Sequence, residues 1–141
     1  MGNNDVVLIV DDDKDCREVL GTALQLFHIP FISAGSGFEG IDLAIKYQPR
    51  LILMNLSMPG MSGLEATRII CTHPKSWWIP IVAVSASDPH VYRSKAIESG
   101  CVEWLQKPWG LDELMRLLER HRMVGKSQAA AAARAAFRDF G

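Results

Sequence analysis

Residues 51–65 of the chain read LILMNLSMPGMSGLE. The first four residues are apolar, which is typical of a short strand covered on both faces. Pro59-Gly60 predicts a turn, and residues 62–71 have the spacing of an amphipathic helix. A buried strand, a turn and a helix therefore follow one another, which is the repeating unit of a parallel α/β sheet.

The same succession of strand and helix recurs five times along the chain. The predicted strands cover residues 6–10, 30–34, 51–54, 80–84 and 102–106. The predicted helices begin near residues 13 or 14, 37, 62, 91 and 111, and the last of them continues to Met123. Five units are too few for a closed eight-stranded barrel. We therefore expect an α/β fold with a doubly wound, open, five-stranded parallel sheet. Ligands of such sheets bind beyond the carboxyl ends of the strands.

Apolar side chains at helical spacing mark the expected buried faces of the first two helices. They are Val19, Leu20, Ala23, Leu24 and Phe27 in the first helix, and Phe38, Ile41, Ala44 and Ile45 in the second. Trp77 and Trp78 precede the fourth strand, where we expect them to cover the lower edge of the sheet. An exposed pair of tryptophans would instead indicate a partner site.

Length and charge exclude several classes of protein. The 141 residues suit one domain, and 15 Lys and Arg against 16 Asp and Glu leave a net charge of −1. This balance predicts no nucleic-acid or membrane surface, and no apolar stretch approaches the length of a membrane span. The three cysteines are far apart, which predicts neither a disulfide framework nor a zinc site. We expect a soluble, cytoplasmic protein.

The composition changes near residue 125, which divides the chain into a domain of residues 1–124 and a tail of residues 125–141. The tail contains seven alanines, and alanine favours a helix. Its last residues include Arg134, Phe137, Arg138 and Phe140. Three alternatives stay open for the tail. Its two phenylalanines pack onto the domain, the tail is a linker, or it contacts a partner or a second copy.

Polar side chains follow the predicted strands at the edge where ligands bind. Asp11, Asp12 and Asp13 follow the first strand, Asn55 the third and Ser85 the fourth, while Lys107-Pro108 follows the fifth. Adjacent carboxylates suit a hard cation such as Mg²⁺. A lysine and a hydroxyl on neighbouring loops suit the oxygens of a phosphoryl group.

These motifs resemble those of the response-regulator receiver domains of two-component signalling. The resemblance extends from Val6 to Val124 and depends on VDDD at 10–13, the stretch at 51–65, VSA at 84–86 and Lys107-Pro108. It implies a sheet in the order 2-1-3-4-5 flanked by five helices. It also implies that an Asp at the end of the third strand accepts a phosphoryl group from a histidine kinase, with Mg²⁺ bound beside it.

The resemblance assigns roles to individual residues of the site. Asp11 and Asp12 look like the acidic pair that helps to hold Mg²⁺, which the backbone carbonyl of Ser57 also contacts. Ser85 looks like the hydroxyl that contacts the phosphoryl oxygens and moves on activation. Lys107 looks like the lysine that pairs with the acceptor or the phosphoryl group.

Two further features are implied by the family pattern. The bond between Lys107 and Pro108 is expected to be cis. Trp104 occupies the position of the aromatic residue that rotates and couples the site to the output surface.

The acceptor position departs from the family pattern, because it holds Asn55 rather than Asp. An aspartyl phosphate requires a carboxylate nucleophile, and a neutral amide cannot form that product. Loss of one charge also weakens Mg²⁺ binding, although the amide oxygen of Asn55 could still serve as a metal ligand beside Asp11, Asp12 and Ser57. We therefore predict a phosphorylation-deficient protein with no catalytic phosphoryl transfer of its own. An engineered Asp→Asn substitution and a natural pseudo-receiver both fit.

Two functional hypotheses follow from the resemblance and its departure. The first is a receiver that acts as a switch in a phosphorelay but is restricted to its unphosphorylated form. Its partners would be a histidine kinase or phosphotransfer protein, and a downstream target that binds the surface of helix 4, strand 5 and helix 5. The alternative is a phosphorylation-independent scaffold or dimerisation module, including a homodimer. Neither hypothesis involves nucleic acid or a membrane.

Residues 35–40 fit the pattern G-x-G-x-x-G between a strand and a helix. A dinucleotide site also requires an acidic residue at the end of the next strand, and that strand ends at Asn55. We therefore interpret these glycines as a turn that leads into the second helix.

Overall fold

The computed structural model describes residues 5–124, so the predicted helix in residues 125–141 lies outside the described residues. The strands are β1 Val7–Val10, β2 Phe31–Ala34, β3 Leu51–Met54, β4 Ile81–Ser85 and β5 Glu103–Gln106. The helices are α1 Lys14–Leu26, α2 Gly37–Tyr47, α3 Gly63–Thr72, α4 Pro89–Ser99 and α5 Leu111–Arg120. Within residues 5–124, none of the helices has the length and apolar character that a membrane span requires.

The five strands form one parallel sheet in the order β2-β1-β3-β4-β5. The residues at the carboxyl ends of the central strands are in register, with Val10 paired to Ala34 on one side and to Met54 on the other. Asn55 continues this alignment, because its backbone N–H donates to the Val10 carbonyl at 2.9 Å. The predicted fold class and strand order are confirmed.

Two apolar clusters cover the two faces of the sheet, as a doubly wound fold requires. Alternate residues of β1 point to opposite faces, so Val7 and Ile9 belong to one cluster and Leu8 and Val10 to the other. The first cluster includes Leu24 of α1 and residues of α5, and the second includes residues of α2, α3 and α4. Each strand of the centre is therefore buried on both sides.

Side chains at the helix starts satisfy backbone N–H groups that have no partner within the helix. Ser36 accepts from the Glu39 N–H at 3.1 Å, and Ser62 accepts from the Glu65 N–H at 3.2 Å. The loop of residues 35–40 thus leads into α2, as interpreted from the sequence. A Cβ atom on Gly40 would lie 2.9 Å from the Val10 side chain, so this glycine permits α2 to pack against β1.

Several expectations about burial and helix length were wrong. Val19 and Phe38 are each 60% exposed. The position of α1 that faces the core is taken by the neighbouring Leu20, and that of α2 by the smaller Ala44. Trp78 packs against the core, but Trp77 is 61% exposed and does not cover the sheet. The fifth helix ends at Arg120 instead of continuing to Met123.

Two adjacent isoleucines of α3 provide a matched test of the core. Ile70 is fully buried, whereas Ile69 is 41% exposed. Ile70→Ala will lower the free energy of unfolding by about 2–5 kcal/mol, since it leaves a cavity that neighbours fill only in part. Ile69→Ala will cost less than about 1 kcal/mol. Urea unfolding followed by circular dichroism measures both values, and equal losses would contradict the assigned packing.

Candidate functional site

The carboxyl ends of β1, β3 and β5 bring together the side chains of four predicted site residues: Asp11, Asp12, Asn55 and Lys107. The backbone carbonyl of Ser57 joins them through a hydrogen bond to Asn55. Because parallel strands end at the same edge, residues far apart in the chain converge there.

Lys107 links the fifth strand to the first. Its Nζ lies 2.9 Å from Oδ2 of Asp11, and the two side chains are only 21% and 7% exposed. The same Nζ lies 3.5 Å from Oδ1 of Asn55. The Lys107–Pro108 peptide bond is cis, as expected from the family resemblance.

The amide nitrogen of Asn55 faces three oxygen atoms. Nδ2 lies 2.9 Å from the Ser57 carbonyl oxygen, 3.2 Å from Oδ1 of Asp12 and 3.3 Å from Oδ1 of Asp11. An amide group has only two N–H donors for these three acceptors. Asn55 is buried, with 8% of its surface exposed, so this geometry is enclosed by protein. The side chain therefore joins the two carboxylates through hydrogen bonds.

The orientation of this amide is determined by its neighbours. With Nδ2 toward the three oxygens, Oδ1 faces the Lys107 ammonium and every contact joins a donor to an acceptor. Rotation by half a turn would place Oδ1 against oxygen atoms and the amide N–H groups against the ammonium. The observed orientation is the one that satisfies the site.

The oxygen atoms that surround the Asn55 amide nitrogen are of the kind that Mg²⁺ binds. Two carboxylates and a carbonyl oxygen, from Asp11, Asp12 and Ser57, are the hard ligands that Mg²⁺ accepts, with water completing its shell. Within residues 5–124, no group of three or more His, Cys, Asp or Glu side chains is arranged to hold a metal ion. The three oxygens fit Mg²⁺ chemically, but Asn55 contributes no charge and its amide nitrogen occupies their side of the site.

Ser85 is the last residue of β4, and its hydroxyl is engaged by the loop that follows. Its hydroxyl accepts a hydrogen bond from the Ser87 backbone N–H at 3.0 Å, and its carbonyl accepts from the Lys107 backbone N–H at 2.8 Å. Ser85 is fully buried, and the loop between β4 and α4 begins directly after it.

Gln106 was missed by the sequence analysis, although it connects Trp104 to that loop. The Trp104 indole N–H donates to Oε1 of Gln106 at 2.9 Å, and Nε2 of Gln106 donates to the Ser87 carbonyl at 3.2 Å. Residues two apart in a strand share one face, so the spacing of Trp104 and Gln106 was the available signal. The half-buried indole is therefore tied to the loop that also binds Ser85.

Gly63, at the start of α3, lies directly against the site backbone. Its N–H donates to the Leu56 carbonyl at 2.8 Å. A Cβ atom at this position would lie 2.1 Å from the Asn55 carbonyl oxygen and 2.7 Å from the Leu56 Cα. These are backbone atoms that cannot rotate away, so the absence of a side chain lets α3 begin close to β3.

The surface of α4, β5 and α5 contains exposed apolar side chains and a cluster of charges. Val91 and Ile97 of α4 are 52% and 59% exposed. On β5, the Glu103 carboxylate accepts from Arg120 Nε at 2.9 Å and contacts His121 Nε2 at 2.6 Å. These contacts connect the end of α5 to the start of β5.

The charge cluster predicts a pH dependence of stability. Burial by itself would raise the pKa of Glu103, but hydrogen bonds from Arg120 and His121 outweigh it and lower this pKa. A carboxylate with a lowered folded pKa stabilises the protein fully above its ordinary pKa, and this contribution is lost as pH falls through the lowered value. Glu103→Gln will therefore destabilise the protein at neutral pH, and its difference from the unmodified chain will shrink in acid.

Urea unfolding of Glu103→Gln and the unmodified chain over a series of acidic pH values measures this difference. Glu98→Gln, which changes an exposed glutamate on α4, is the matched control. A difference that stays constant on acidification would contradict the assigned role of the cluster.

The three cysteines are free, as expected, with Cys101 buried and the other two half-buried. Burial raises the pKa of Cys101 to about 11. Burial also raises the pKa of Cys16, although the Lys107 ammonium 3.8 Å from its Sγ acts in the opposite direction. Cys16 was not predicted to lie near the site.

Comparison with known proteins identifies the family. The chain matches the model of the response regulator receiver domain over residues 7–119. It therefore belongs to the response regulator receiver domain family, and it is a receiver domain of the two-component type.

Two curated relatives illustrate this similarity. Response regulator MprA of Mycobacterium sp. (strain KMS) is 30% identical over 109 residues, which are 77% of this chain and 46% of that protein. The chain thus spans about half the length of this relative. An uncharacterized 14.6 kDa protein from the sodA1 3′ region of Leptolyngbya boryana is 30% identical over 115 residues, 82% of this chain and 88% of that protein.

Solved structures show the same fold. Chemotaxis protein CheY4 of Vibrio cholerae superposes with a TM-score of 0.77 at 25% identity, covering 82% of this chain and 96% of that one. The receiver domain of sensor histidine kinase PA1611 of Pseudomonas aeruginosa PAO1 has a TM-score of 0.77 at 26% identity, covering 83% and 96%. The latter structure contains a magnesium ion coordinated in its active-site cleft.

Proposed function

We propose that this receiver domain carries no phosphoryl group at residue 55 and meets its partners in a single, unphosphorylated state. The observation that supports this proposal is the Asn55 amide, which donates toward Ser57, Asp12 and Asp11 in place of an ionised nucleophile. A carboxylate at this position would instead present oxygen lone pairs. The domain therefore does not act as an enzyme on itself.

The partners proposed for the domain are proteins. A histidine kinase or phosphotransfer protein would approach the edge that contains Asn55 and Lys107. A downstream target, or a second copy of the chain, would bind the surface of α4, β5 and α5, where Val91 and Ile97 are exposed. Large exposed apolar side chains surrounded by charges favour protein contacts.

A Mg²⁺ ion would be held by Asp11, Asp12 and the Ser57 carbonyl. Mg²⁺ would supply positive charge that neutralises the two carboxylates. The same charge would stabilise the oxygen atoms of an incoming phosphoryl group. The Asn55 amide already donates hydrogen bonds to those carboxylates. We therefore propose that this domain depends little on Mg²⁺.

Incubation with acetyl phosphate and Mg²⁺, followed by measurement of the intact mass, tests the proposed function. The unmodified chain is expected to keep its mass, and Asn55→Asp is expected to gain one phosphoryl unit. Asn55→Asp combined with Lys107→Ala is the control for a site that has a carboxylate but lacks the ammonium.

Phosphorylation of the unmodified chain would overturn the proposal. If neither the chain nor Asn55→Asp gains mass, the switch hypothesis is replaced by the phosphorylation-independent scaffold or dimerisation module. Analytical ultracentrifugation of the same two proteins then shows whether a second copy is the partner.

A further inference from the structure

A cavity of about 310 Å³ opens between α1 and the loop that joins β5 to α5. Its apolar inner wall reaches the sheet, because it includes side chains of three neighbouring strands: Ile9 and Val10 of β1, Leu53 of β3 and Val84 of β4. Leu20 of α1 extends this wall. A cavity of this size with a mostly apolar lining is suited to a small organic molecule with one ring.

The charges that line the cavity do not cancel. Within residues 5–124, the charged side chains of its lining are those of Asp11, Asp15 and Lys107. Asp11 and Lys107 neutralise each other, since Oδ2 and Nζ are 2.9 Å apart, and the Asn55 amide in the same lining is uncharged. Asp15 therefore leaves the cavity with one negative charge in excess.

The Asp15 carboxylate is exposed at the mouth of the cavity, and within residues 5–124 it makes no hydrogen bond or ion pair. Lys14 and Arg17, the bases of the same helical turn, line a separate groove on the side of β2. Asp15 and Val19 are four residues apart, so they share one face of α1, and both line the cavity. A carboxylate available to a cation thus lies on the face of α1 that opens into the apolar cavity.

The indole of Trp109 forms an aromatic part of the lining. Trp109 is half-buried and packs against the first apolar cluster. An indole ring attracts organic cations more strongly than other aromatic side chains do. Apolar side chains, an indole and the Asp15 carboxylate together are complementary to an apolar ring that carries a positive charge.

We propose that the cavity binds a small arylalkylammonium ion, with its ring against Ile9, Leu20 and Val84 and its ammonium group beside Asp15. An uncharged ring would gain nothing from the carboxylate, and an anion would be repelled by it. This binding requires no phosphoryl transfer, so it does not depend on the function proposed above.

Titration of the full chain with phenethylammonium chloride, followed by nitrogen–proton correlation NMR, tests the proposal. The indole N–H resonance of Trp109 is expected to shift and to saturate with a Kd of about 1 mM or tighter, as for a good ligand of this size. Trp77 is 61% exposed, so its indole resonance reports non-specific stacking and is expected not to shift. Absence of saturation at Trp109 up to about 10 mM, or an equal shift at Trp77, would overturn the proposal.

Two analogues of the same ring test the charge of the ligand. Phenethyl alcohol replaces the ammonium group by a hydroxyl group and is expected to bind at least about threefold more weakly, the effect of one exposed ion pair. Phenylacetate reverses the charge and is expected to bind more weakly still. Binding of the alcohol or of the acid as tightly as phenethylammonium would overturn the proposal in favour of a purely apolar site or an anion site.

Asp15→Asn removes the charge and keeps the shape of the side chain. It is expected to weaken phenethylammonium binding at least about threefold and to leave phenethyl alcohol binding unchanged, because only the ammonium group interacts with the carboxylate. Asp42→Asn is the matched control, since it changes an exposed aspartate of α2 on the opposite side of the sheet, and it is expected to alter neither affinity. An unchanged phenethylammonium affinity in Asp15→Asn, or an equal loss for both ligands, would overturn the proposal.

Discussion

Asn55→Asp will tighten Mg²⁺ binding at least about tenfold, which is about 1.4 kcal/mol. The substitution adds a third carboxylate beside Asp11 and Asp12, and the affinity of oxygen-ligand sites for Mg²⁺ rises with ligand charge. It also removes the Asn55 N–H donors that now contact both carboxylates at 3.2–3.3 Å. Without a metal ion, the three carboxylates repel one another, so Asn55→Asp will be less stable than the unmodified chain.

Isothermal titration with Mg²⁺ measures the affinities, and thermal unfolding with and without Mg²⁺ measures the linked stability. Binding stabilises only the folded state, so Mg²⁺ will raise the Tm of Asn55→Asp clearly and that of the unmodified chain only slightly. Gln25→Glu adds the same charge at an exposed position of α1 and is expected to behave like the unmodified chain. Equal affinities of the unmodified chain and Asn55→Asp would contradict the role assigned to the amide.

Gly63→Ala will lower the free energy of unfolding by about 3 kcal/mol, at the upper end of overpacking substitutions. The new methyl group would lie 2.1 Å from the Asn55 carbonyl oxygen, and relief requires α3 to move away from β3. That movement would break the hydrogen bond from the Gly63 N–H to the Leu56 carbonyl and would displace the backbone that holds Asn55.

Gly35→Ala is the matched control, because a Cβ atom there meets only the end of the Arg17 side chain, at 3.4 Å. We expect this variant to stay within about 0.5 kcal/mol of the unmodified chain. Urea unfolding with an unchanged dependence on denaturant gives both values. If Gly63→Ala were as stable as Gly35→Ala, the close approach of α3 to the Asn55 backbone would be wrong.

The sequence predicted most of the fold, because continuous apolar strands and helical spacing are local signals. The four converging side chains of the site were likewise accessible, since Asp11, Asn55 and Lys107 each directly follow a strand. The exposure of Val19 was not accessible from periodicity alone. It depends on which residues of α1 face the sheet, which is a property of tertiary packing.

The contacts around the amide and the indole show a second limit of sequence reasoning. The chemistry of Asn55 predicted the loss of a nucleophile, but not that its Nδ2 would face three oxygen acceptors. The bridge from Trp104 through Gln106 to Ser87 depends on side-chain orientations in space. Spacing along β5 indicated that Trp104 and Gln106 share a face, and nothing local indicated that the Ser87 carbonyl would lie within reach.

The ion pair between Asp11 and Lys107 joins residues that are 96 positions apart in the chain. Contacts of such long sequence separation form only after the intervening chain has been brought into order. A partly folded domain that lacks β5 would hold Asp11, Asp12 and Asn55 together without their cation. The site with its Lys107 ammonium therefore forms only in the complete domain. A newly made chain presents this complete site to a partner only after β5 has joined the sheet.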